Sequence, residues 1–279
     1  LKKYKFNNTK ENIMISPFDT HPAIFNRKDG SVLTISRNGV LCKDKTGKVT
    51  CDVDFDDVNG LHCSGYLNSN SNYQIIFRGA DWKNLTEVDT DCESRDDCHN
   101  IFETKALIAA FLRNKLTADF PANLDTLDIP LDYSYLKRKE VRLQNGNLVF
   151  GNTSIPIKDI RRVLCMASGT INNLLIYTSE KGEAKGFFKK LFDKADMTIP
   201  LTALTVSVIN AIVARNTGHG IDFSRGNNWD QGDSKYIIIR YLDSSYYYDK
   251  DGTTSTEWQK MAVERTASYN YDIANWLEK

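Results

Sequence analysis

The chain has 279 residues, of which 41% are hydrophobic and 26% charged, and its 36 basic residues balance 36 acidic ones. Such a length suits one large or two ordinary domains, and the composition is that of a globular protein. A net charge of zero excludes the basic excess of a general nucleic-acid binder, and no apolar run reaches the roughly 18 residues of a membrane-spanning helix.

Residues 1–27 are polar and mixed, with Pro17 and Pro22, and read as an N-terminal arm. The chain opens on Leu1 rather than Met and is read as a mature or trimmed form. Residues 31–37 (SVLTISR) and 48–55 (KVTCDVDF) have strand character, with Thr46-Gly47 between them as a turn. A two-residue turn centred there places Cys42 opposite Cys51 and predicts a disulfide. Cys92 and Cys98 bracket a charged loop and form a second candidate pair, which leaves Cys63 with Cys165 by elimination. Zinc is one rival reading, since His62 and His99 adjoin cysteines, but the chain has no CxxC; free buried thiols are the other. Six cysteines allow fifteen connectivities, and beyond Cys42–Cys51 the pairing stays open; disulfides in any of these patterns favour an oxidising, extracellular, periplasmic or cell-surface location.

Asp52, Asp54 and Asp56 alternate along the second strand and are calcium candidates. An EF-hand loop starting at Asp52 would need glycine at 57 and glutamate at 63, where the chain has Asp57 and Cys63. The expectation is therefore a solvated acidic edge, with no cofactor.

Asp29-Gly30-Ser31 opens a strand, cysteines follow, and an acidic strand ends at Asp57-Val-Asn-Gly60. In this pattern residues 29–60 resemble the β-region of bacterial type IV pilin and pseudopilin-like proteins. The resemblance implies assembly or adhesion at a bacterial surface. The hydrophobic N-terminal helix of that family is not in this sequence.

Residues 73–78 (YQIIFR) predict a strand. Asn100-Ile-Phe-Glu103 has capping-box spacing and opens a helix whose buried stripe is Leu107, Ile108, Phe111, Leu112 and Leu116. Phe120-Pro121 stops it, and residues 119–130 read as a linker. Asn145-Gly146 is a hairpin turn between Val141-Arg-Leu and Leu148-Val-Phe. Residues 184–195 (AKGFFKKLFDKA) form an amphipathic helix lying on the core. Residues 199–215 are apolar on nearly every side and predict a central helix, capped by Thr198, with Pro200 in its first turn. Residues 235–242 (KYIIIRYL) predict a strand, and Thr254 to Glu257 opens a last helix. No internal repeat is visible.

Together these elements predict an α+β protein. An antiparallel β-meander with a disulfide hairpin and a closing helix fills residues 1–120, and a second, mixed α+β domain built around helix 199–215 fills residues 131–279. The glycine-rich stretch from Arg215 to Asp233 is the one candidate catalytic loop, with His219 as a base, Asp222 or Asp230 to orient it, and Arg225 for an anion. The chain has no GxSxG, P-loop, HExxH or dinucleotide fingerprint. The expected function is that of a secreted or surface-exposed bacterial protein that binds a protein or glycan ligand or assembles with itself. The alternatives are a secreted enzyme or toxin domain using His219, and a viral or phage structural protein.

Overall fold

A computed structural model of the chain describes residues 22–27, 29–64, 73–90, 102–116, 119–168, 171–180 and 194–222. Strands β1 (Ala23–Asn26), β2 (Val32–Ile35), β3 (Gly39–Lys43) and β4 (Val49–Asp54) form an antiparallel meander in sequence order. A one-turn 3-10 helix, Phe55–Asp57, turns the chain into a second meander of β5 (Gly60–Ser64), β6 (Tyr73–Arg78) and β7 (Asn84–Thr90). Helix α1 (Phe102–Lys115) follows and lies against β2, β3 and the 3-10 turn.

The same order then recurs. Strands β8 (Ile129–Ser134), β9 (Lys139–Gln144), β10 (Asn147–Phe150) and β11 (Thr153–Pro156) form a four-stranded meander. A 3-10 turn, Ile157–Asp159, leads to the three strands β12 (Arg162–Ser168), β13 (Ile171–Tyr177) and β14 (Met197–Pro200), and then to helix α2 (Ala203–Thr217). Even the corners match. Phe55 and Ile157 are buried first residues of their 3-10 turns, and each carbonyl accepts from the amide three residues on, Val58 and Ile160, which are buried too.

The period-two rule explains the strands. Leu33, Ile35, Val40 and Val53 alternate inward with exposed or half-exposed neighbours in the first meander, as Val141, Leu143, Leu148 and Phe150 do in the second repeat. Phe55 is a hub of the first half. Its ring stands 6.3 Å from Phe77 and 5.7 Å, edge-on, from Phe111 of α1. The predicted stripe of α1 is buried at every position from Leu107 to Leu116. Helix α2 is buried at nearly every position up to Val213: it lies against β8, β12 and its own 3-10 turn, and also against β5 and α1 of the first half. One continuous apolar core therefore runs through both halves.

Several expectations are corrected. The described residues are not an α+β mixture with a disulfide hairpin; they form four antiparallel sheets with two helices. Cys42 and Cys51 do stand opposite each other, but as buried thiols without a disulfide, and Cys165 is likewise a buried thiol without one. The hairpin expectation assumed a two-residue turn and a regular ladder. Instead Asp44 accepts from the Thr46 and Lys48 amides, Gly47 sits at φ +83°, and Lys43 pairs with Val49, so that Thr50 bulges out beside the cysteine pair. Cys63 lies in β5, while Cys92 and Cys98 are outside the described residues.

The predicted central helix starts late. Residues 197–200 pair with β13 as strand β14, and the cap is Thr202, whose side chain exchanges bonds with Thr205 in a capping box. Gly218, at φ +77°, ends the helix where expected. Residues 119–126, read as a linker, are a run of turns that carries buried Leu124. The Asn145-Gly146 turn forms as predicted, with both residues at positive φ and Leu143 paired to Leu148. The expected elements at 184–195 (its last two residues apart), 235–242 and 254–257 fall outside the described residues.

Candidate binding surface

The predicted catalytic loop is not assembled as a site among the described residues. His219 is exposed; its amide donates to the Thr217 hydroxyl, and no described carboxylate accepts from its ring. Arg215, which opens that stretch, makes a two-pronged bond to Asp125 at 3.0 and 3.1 Å. Asp222 serves through its backbone: its amide donates to Val163 and its carbonyl accepts from Cys165, a parallel bridge onto β12. Arg225 and Asp230 lie outside the described residues.

The calcium candidates also separate. Asp54 caps the 3-10 turn by accepting from the Asp56 amide, and Asp56 accepts from Asn114. The Lys115 ammonium reaches the Phe55 carbonyl; burial lowers its pKa, while Asp56, Asp54 and Asp57 act in the opposite sense. This cation answers the acidic edge from within the protein. Among the described residues, no three His, Cys, Asp or Glu side chains converge as a metal site would require.

Cys42 and Cys51 share a hydrogen bond, so their protons leave unequally. The bond and burial push Cys42 up, while the same bond lowers Cys51 against the effect of its burial. The Arg27 guanidinium, close enough to act on Cys42, forks onto Glu103 of α1 at 2.7 and 3.0 Å.

The most concentrated arrangement of polar and aromatic chemistry lies where the β6–β7 turn meets the β8–β9 hairpin. Trp82, at φ +62°, stacks on Tyr133 with ring centroids 6.1 Å apart, and its Nε1 donates to Glu140 at 3.0 Å. The Tyr135 hydroxyl donates to the Trp82 carbonyl, and the Arg78 guanidinium sits 4.2 Å from the centre of the Tyr135 ring. Beneath them Asp132 is buried by a bulge at Leu131, where the ladder steps from Pro130–Arg142 to Asp132–Val141. Burial pushes its carboxyl up to about 7, against the Tyr133 amide and the nearby Arg78.

That cluster braces an exposed tip. The β8–β9 turn runs Tyr135-Leu136-Lys137-Arg138 between the paired residues Ser134 and Lys139. Leu136 is 90% exposed and Tyr135 50%. Lys137, Arg138 and Lys139 are exposed, and no carboxylate among the described residues pairs with them. The Lys137 ammonium lies 4.9 Å from the centre of the Phe150 ring. The Lys139 stem crosses Gly151 so closely that a Cβ there would meet its Cδ at 2.3 Å. Arg138 holds the left-handed conformation at φ +52°, which glycine would adopt without strain.

Residues 135–139 belong to none of the elements or sites expected from the sequence. The readable signal was a leucine and a tyrosine beside three consecutive cations in a chain of zero net charge. Compared with known proteins, the chain matches no family model and no curated relative.

Proposed function

We propose that this protein works by binding, and that the β8–β9 hairpin tip is its contact surface for a negatively charged partner. The observation that carries this reading is the tip itself: an almost fully exposed leucine beside three exposed cations that no carboxylate among the described residues pairs with, on a turn fixed by Trp82, Tyr133 and Arg78. Contact residues commonly sit on turns held by a rigid sheet, and side chains ordered beforehand lose less freedom on binding. A role in assembly or adhesion at a bacterial surface is compatible with this. Of the disulfides that suggested an oxidising compartment, Cys42–Cys51 and any bridge to Cys165 are not formed, and Cys92 and Cys98 lie outside the described residues.

The test is retention on a phosphocellulose column at low salt. Wild type should be retained and released by salt, because exposed charges are screened within about 10 Å at 0.1 M. The triple variant K137E/R138E/K139E should flow through with unchanged melting, as surface substitutions usually shift stability by no more than about 0.5 kcal/mol. His219→Ala should behave like wild type. Equal retention of wild type and the triple variant would remove the tip from the reading.

A further inference from the structure

Resting on that reading, we infer that the partner is an anionic lipid surface, into which the tip inserts Leu136 while Lys137, Arg138 and Lys139 engage lipid phosphates. The shape of the tip favours this partner. Leu136 stands at the apex of a convex turn, with Tyr135 half-exposed beside it. A lipid interface yields around such a point, whereas a protein partner would need a preformed cavity to receive it. Two copies of the chain would bring like charges together at the tip. Tyrosine and snorkelling lysines are at home at the headgroup level, one end apolar and the other wet.

Two of the cations are ordered beforehand. The Lys137 ammonium lies over Phe150, and the Lys139 stem and ammonium lie over Gly151, so both side chains run along the β10–β11 end of the sheet. Arg138 is the third cation, held in a backbone conformation that L side chains rarely adopt. A strained arginine where glycine would relax the turn points to a side chain retained for what it touches.

The magnitudes describe a weak, reversible contact. Burying one leucine strengthens partitioning by about 10- to 100-fold. Each cation near an anionic leaflet adds about fivefold. Neither signal anchors a protein alone, and the two together suffice for peripheral binding.

The experiment is co-sedimentation with vesicles of phosphatidylcholine alone or with 30% phosphatidylglycerol (about 30 mol%, enough for a clear surface potential), beside the phosphocellulose column. Wild type should pellet with the anionic vesicles and not with the neutral ones. Leu136→Ser should bind the anionic vesicles at least about tenfold more weakly, a larger loss than it shows on the column, where charge dominates. Arg138→Gly should weaken vesicle binding about fivefold while raising the melting temperature, a combination that a merely structural arginine would not give. Leu136→Ser binding vesicles like wild type would overturn insertion. Retention on the column without vesicle binding would overturn the lipid and leave an acidic macromolecule as partner. Failure on both would overturn the binding reading with it.

Discussion

A carboxylate at position 132 has almost no water around it, and this sets how stability follows pH. In the folded chain Asp132 keeps its proton up to about 7, chiefly through burial. In an unfolded chain an aspartate releases it near 3.9. Between those values the folded form binds the extra proton, so this residue's contribution is whole below about pH 4 and is lost as pH rises through about 7. Asp132→Asn has nearly the same shape and no charge to bury. Its stability relative to wild type should improve from pH 5 to pH 8, by an amount on the order of 3 kcal/mol. Urea unfolding of both proteins at the two pH values measures this. A difference that does not change with pH would show that Asp132 is ionised and solvated in the folded chain.

At the scale of elements, helix α2 carries the clearest consequence. Leu204 is 2% exposed, on a helix whose residues from Ala203 to Ile209 are all buried. Leu204→Asp would place an unpaired carboxylate there and should abolish soluble expression, whereas Leu204→Met, which conserves volume, should cost less than about 1.5 kcal/mol. Soluble, normally melting Leu204→Asp protein would mean that the helix is exposed. This helix was legible in the sequence because apolarity on every side needs no partner to interpret. Its start was not, because Ile199 and Pro200 suit a strand end as well as a first helical turn, and only the pairing of Ile199 with Leu174 decides. The Asn145-Gly146 turn was legible because its two residues tolerate positive φ. The β8–β9 turn was hidden because Arg138 takes that conformation without the usual glycine or asparagine. His219 drew attention through neighbouring glycines, yet clustering in sequence placed no described carboxylate at its ring.

At the scale of the whole molecule, the repeat of four strands, a 3-10 turn, three strands and a helix was invisible in the sequence. The repeated positions share apolarity and alternation rather than residue identity: Phe55 answers to Ile157, and Val58 to Ile160. The halves are nonetheless energetically joined, since α2 lies against β5 and α1 and the core is continuous. Heat should therefore unfold them in one transition, with calorimetric and van't Hoff enthalpies equal. Two resolved peaks, each shifted by substitutions in one half only, would show two independent units.

The parallel bridge between Leu164 and Asp222 also has a mechanical meaning. Its two backbone bonds, Asp222 to Val163 and Cys165 to Asp222, tie the chain to β12 just after α2 ends. Tension from residues beyond Asp222 meets this clasp before it reaches the helix. Because the two segments run parallel, a pull directed along β12 loads both bonds together in shear. The helix that joins the halves is thus shielded from stretching by a short contact a few residues beyond its end.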